Sequence, residues 1–117
     1  MTLELGMVTI DCEDPRRLAE FWTAALGVKV AQDYGEFLLL APAKEGGVAL
    51  GIQRVPETRA GKNRIHLDLG SPNRPAEVER LLGLGASEVA EHSVPGLDWT
   101  VLADPEGNQF RVSQGHS

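Results

Sequence analysis

The chain runs through one order of elements twice, and this repeat limits its possible folds more than any other feature. Residues 7–12, "MVTIDC", alternate as a half-buried strand: Val8, Ile10 and Cys12 on one face, Met7, Thr9 and Asp11 on the other. "DPRRLAEFWTAALG" follows, and three extended stretches come next: "VKVAQD", "GEFLLLAP" and "GVALGIQRV". The polar segment 56–62, "PETRAGK", reads as a linker. Beyond it come a strand, "RIHLDL", a helix, "SPNRPAEVERLLGLG", and the stretches "SEVAEH", "LDWTVLAD" and "NQFRVSQ". The copies overlay at nearly constant spacing. Val8–Asp11 matches Ile65–Asp68 at an offset of 57, Leu26-Gly27 matches Leu84-Gly85 at 58, and Gly47 matches Gly107 at 60. The plan is a duplicated βαβββ module, with module one at 1–55 and module two at 63–117, and the class is α+β. A single module would leave a sheet face bare, so the two are expected to combine in one domain.

Local chemistry supports each element. Asp14 suits an N-cap, Pro15 the first helical position, and Gly27 the C-terminal stop. Leu18, Phe21, Trp22, Ala25 and Leu26 recur at helical spacing. In the second helix Val78, Leu81 and Leu82 form the apolar side, and Gly85 ends it. In "RIHLDL", Ile65, Leu67 and Leu69 take one face and Arg64, His66 and Asp68 the other. The last strand puts Phe110 and Val112 on one face and Gln109, Arg111 and Ser113 on the other, so a permanent cation stands opposite the core side.

Composition narrows the function classes. A net charge of −6 gives no basic stripe for a nucleic-acid groove. No apolar run approaches the ~18 residues of a membrane span. The single cysteine, Cys12, excludes an intrachain disulfide and suits a reducing compartment. No basic segment precedes an apolar one at the start, so a cytoplasmic location is expected.

Three stretches, "DPRRLAEFWTAALG", "RIHLDL" and "LADPEGNQFRV", set in this duplicated order, resemble the glyoxalase / bleomycin-resistance / extradiol-dioxygenase superfamily, also called vicinal oxygen chelate. The resemblance covers essentially the whole chain and is closest to the short glyoxalase-like members. It implies two βαβββ modules forming a curved mixed sheet around a concave cavity, with helices on the convex side. Taken alone, Asp-Pro-Glu-Gly is good turn chemistry and reads as structural.

Metal-dependent members of that superfamily carry ligands on the first and last strand of each module. Carried over, those positions are Met7, Gly51, Arg64 and Arg111. A divalent ion needs three or four converging N or O donors, and this set offers none. No metal and no cofactor are expected. His66 with Asp68 and Asp11 leaves one alternative, and a shift of one residue pair in the overlay would bring His66 into a ligand position, although residues i and i+2 on a strand sit roughly 6.5 Å apart, awkward for one ion.

Several residues have two readings. His66 with Asp68 could act as an acid/base pair, or His66 could be a hydrogen-bonded structural histidine. Arg64 and Arg111 could read a ligand's anionic group as planar forks, or pair internally with Asp11 and Asp68. Trp99 could stack on a flat ligand or fill space, Gln53 could line the site or face water, and Met7 falls on the cavity side. Cys12 and Trp22 read as core. The expected function is a small-molecule binder of glyoxalase-like type without the usual metal ligands, the ligand being anionic or aromatic. Two alternatives stand beside it: a lyase-type enzyme using His66 and Asp68, and a drug-sequestering protein like the bleomycin-resistance members. The resemblance also implies a homodimer, since such proteins often pair modules across chains.

Overall fold

The computed structural model describes residues 5–57, 61 and 65–115. The chain divides into two compact units, residues 1–59 and 60–117. Module one holds β1 (Met7–Cys12), α1 (Pro15–Leu26), β2 (Val30–Asp33), β3 (Phe37–Leu40) and β4 (Ala49–Arg54). Module two holds β5 (Leu67–Gly70), α2 (Arg74–Leu84), β6 (Ser87–Val94), β7 (Leu97–Ala103) and β8 (Gln109–Gly115). Each module has its own four-stranded mixed sheet, ordered β1-β4-β3-β2 in the first and β5-β8-β7-β6 in the second. In both, the first strand pairs in parallel with the last, and the remaining pairs are antiparallel. A parallel neighbour requires a crossover, and the helix supplies it.

The helix ends follow their caps. Asp14 Oδ1 accepts the Arg17 N–H at 3.2 Å, and Gly27 closes α1 in the left-handed region at φ 68°. Asn73 caps α2 by accepting the Ala76 N–H at 3.3 Å. In module one Leu18, Phe21 and Trp22 of α1 are buried, as are Leu38, Leu40, Leu50 and Ile52 of the sheet. Trp22 meets Phe21 edge-on at 5.1 Å and is a core residue, 1% exposed. Cys12 is buried and donates a hydrogen bond through Sγ to the Gln53 carbonyl. Module two buries Val78 and Leu81 of α2, with Leu102, Phe110 and Val112. Leu82, expected on the buried side, is 39% exposed. Arg74, Val78 and Leu81 set the packed face, and Leu82 lies roughly 70° around the helix from its centre.

Of the strand boundaries that differ from expectation, two bear on the site. β5 begins at Leu67, so Ile65 precedes the ladder and is exposed. β6 runs past His92 to Val94, because Pro95 and Gly96, the latter at φ 88°, turn it tightly into β7. The offset of the repeat also changes at its start. Met7 lies seven residues before the cap Asp14, and His66 lies seven before the cap Asn73. The first strands therefore align at 59, not 57, and His66 rather than Arg64 corresponds to Met7.

Candidate functional site

Alternation sorts the second sheet into two faces. Leu67 and Leu69 pair in register with Phe110 and Val112, which pair in turn with Leu102 and Thr100; this is the face α2 covers. The other face carries Asp68 beside Arg111, Arg111 beside Val101, and Val101 beside Ala90. A bulge between Glu88 and Ala90 adds Val89. On this side lies a concavity of about 300 Å³, lined from β6, β7 and β8 and by His66 ahead of β5.

Arg111 and Asp68 form a two-pronged pair across β5 and β8. Arg111 Nε donates to Oδ1 at 2.6 Å and Nη2 donates to Oδ2 at 3.2 Å. These hydrogen bonds, reinforced by the opposite charge, hold the guanidinium pKa above the usual arginine value. The side chains are 39% and 58% exposed, so water screens the pair and its contribution to stability is about 0–1 kcal/mol. The fork uses one edge of the guanidinium, and Nη1 lies outside it.

His66 borders the concavity, with its Nε2 buried and without a hydrogen-bond partner among the described residues. The Asp68 carboxylate is bonded to Arg111, so the structure shows no His66–Asp68 hydrogen bond. Trp99 and His92, register partners on β7 and β6, stack with ring centroids 5.1 Å apart and planes 25° apart. Gln109, at the start of β8, completes the polar lining.

His92 is not among the residues singled out from the sequence, because the stretch "SEVAEH" ends on it. Counting outward from Pro95-Gly96 pairs Val94 with Leu97, Ser93 with Asp98, and His92 with Trp99. The turn dipeptide therefore held the signal.

The remaining expected residues lie elsewhere. Met7, Asp11 and Gln53 are exposed on the module-one sheet, with Asp11 opposite Gln53 in register. Asp11 has no arginine partner among the described residues. Arg64 lies outside the described residues. Gly51 is covered: a Cβ there would come within 2.8 Å of the Phe37 ring and 3.0 Å of Thr9 Oγ1.

These observations decide the fit of a family-type metal. At the four positions as the caps align them, His66 offers one orphaned nitrogen, Gly51 is sealed by Phe37, Met7 offers a thioether, and Arg111 is a cation. One N donor does not hold a divalent ion, and the residues do not fit the group.

A family profile described as glyoxalase-like domain matches residues 7–113. No curated protein matches the chain in sequence. Among solved structures, a glyoxalase/bleomycin resistance protein/dioxygenase family enzyme from Burkholderia phytofirmans PsJN is similar at TM-score 0.82 and 19% identity, covering 97% of this chain and 100% of that one. The fosfomycin resistance protein FosX from Listeria monocytogenes is similar at TM-score 0.81 and 15% identity, covering 99% and 96%. A mutant of FosX complexed with Mn(II) and dihydroxypropylphosphonic acid is similar at TM-score 0.78 and 14% identity, covering 99% and 92%. At such identities the likeness is one of fold, which is that of the two-module glyoxalase proteins. With the profile spanning both modules, the chain belongs to the glyoxalase-like domain family.

Proposed function

We propose that the chain binds a small anionic molecule in the concavity of module two, with Arg111 as the recognition group. The observation that carries this reading is the Arg111–Asp68 fork at the wall of the concavity. Asp68 fixes the guanidinium plane, and the edge outside the fork can meet a planar carboxylate or a phosphate oxygen. Trp99 and His92 add an aromatic surface beside it. The phosphonic acid in the FosX complex belongs to the class of anion such an edge accepts, whereas the Mn(II) there has no matching donor set here. A cationic drug such as bleomycin suits this wall less well.

A second reading, an enzyme of lyase type, draws on the buried unpartnered Nε2 of His66, which a bound substrate could engage. It would use His66 without Asp68.

Thermal-shift screening with small aromatic acids, keto acids and phosphorylated metabolites tests the binding reading. Stabilisers should emerge, and Arg111→Met should abolish their effect while the protein stays folded. If no anion stabilises the wild type, the reading fails. Turnover of a stabilising compound, lost in His66→Gln, would favour the second reading.

A further inference from the structure

We infer that the concavity takes a single-ring aromatic carboxylate, and that its binding is coupled to protonation of His92. This rests on the binding reading above and adds the ligand's class and its coupling to pH.

Size and shape give the class. About 300 Å³ lies at the lower end of ligand sites, which run roughly 300–1,000 Å³, and suits one ring with a short substituent. The flat surface comes from the Trp99–His92 stack, and the free edge of Arg111 fits a planar carboxylate.

Charge gives the proton. Asp68 already matches the charge of Arg111, so at neutral pH an entering anion meets a neutral pair and not a net cation. The other groups facing this space are His66 ahead of β5, Trp99 of β7, Gln109 of β8 and His92 of β6. Glu91 and Asp98 are engaged away from it: Glu91 pairs with Arg74 at the start of α2, and Asp98 accepts from Ser93. The lining groups of a type that titrates between pH 5 and 8 are therefore the two histidines. His66 Nε2 is buried, so His66 is the less accessible of the two to water. His92 is exposed to water on the terminal strand β6, and an imidazolium against an indole face is attracted to it. An anion in the concavity stabilises that imidazolium further. Affinity then rises as pH falls through the imidazole range and is lower above it.

Benzoate, ionised throughout pH 5.5–8.0, is the probe. Histidine side-chain resonances and the benzoate Kd are followed by NMR across that range in the wild type, His92→Gln and His66→Gln. The His92 midpoint should rise by about one pH unit on saturation, and Kd should be about tenfold lower at pH 5.5 than at 8.0. His92→Gln should flatten that dependence to within about twofold, and His66→Gln should keep it. Benzoate binding with a constant Kd and an unmoved His92 midpoint overturns the inference and leaves the binding reading intact. A midpoint that moves at His66 instead overturns the assignment to His92. Absence of benzoate binding at every pH, with no other acid stabilising the protein, removes both.

Discussion

The ring of Phe37 lies over Gly51, with Cζ 2.8 Å and Cε1 2.9 Å from where a Cβ at that glycine would stand. Gly51 and Arg111 share the repeat offset of 60 that relates Gly47 to Gly107. One copy thus fills this position with a neighbouring ring, and the other places a long cation there. Gly51→Ala should destabilise the protein by about 1–2 kcal/mol, because Phe37 must swing aside. Adding Phe37→Ala should make the glycine substitution nearly neutral. Urea denaturation of the four proteins in a double-mutant cycle measures this coupling, expected at about 1 kcal/mol or more.

Arg111→Met should change stability by less than about 1 kcal/mol, since its fork with Asp68 is largely solvated. Chemical denaturation checks this beside the ligand screen. A loss of several kcal/mol would show that the pair holds the fold together and would weaken the case for Arg111 as a recognition group.

Asp104 is 3% exposed, and its Oδ1 accepts the backbone N–H groups of Glu106 and Asn108, both at 2.9 Å. The Asn108 side-chain amide adds bonds to both carboxylate oxygens. Asp104→Ala strands these donors, at about 1–3 kcal/mol for each buried group left unsatisfied. A total loss of about 3 kcal/mol is expected, read as a lower urea midpoint with an unchanged m-value.

Two carboxylates should tie stability to acid pH. Asp33 is held below its ordinary pKa of 3.8, chiefly by the Gly35 N–H and then by Arg16. Glu77 is held below 4.5 by its hydrogen bonds from Arg80. Both native-state pKa values lie below the unfolded ones, so their stabilisation is complete above about pH 4.5 and is lost as pH falls through the native values. NMR titration should find both midpoints below the ordinary values. Arg16→Met should raise the Asp33 midpoint only in part, because the larger cause is a backbone donor.

We also propose that the protein is a homodimer. Val30 on β2 and Val89 and Val94 on β6 are exposed on strands that end their sheets, which leaves apolar edges a second copy could cover. Light scattering after size exclusion should report twice 12.6 kDa at tens of micromolar. A species at 12.6 kDa would contradict the proposal.

The legible parts of the sequence were those governed by local chemistry. Asp14, Pro15 and Gly27 bound α1 as their side chains and backbone freedom require, and period-two alternation assigned Phe110 and Arg111 to opposite faces. Register across strands was less legible, because it depends on partners distant in the chain. The offset at β5 was displaced by one residue pair: Ile65 reads as a core position but precedes the ladder. That displacement matched Arg64, and not His66, to Met7 in the repeat. The sealing of Gly51 was out of reach from spacing alone, since it arises from a ring on β3, a strand whose apolar run does not show how Phe37 is turned.

The Asp104 turn has a consequence for how such chains diversify. The stretch that makes the sequence recognisable, "DPEGN", closes on itself: Asp104 ties Glu106 and Asn108, and the Gly107 N–H returns to the Asp104 carbonyl at 2.8 Å. It fixes where β8 starts and demands nothing of the side chains at 109, 111 and 113. Those positions can be exchanged while the strand keeps its place. The turn therefore sets the joint, and the chemistry of this face is left to the three alternate residues that follow it.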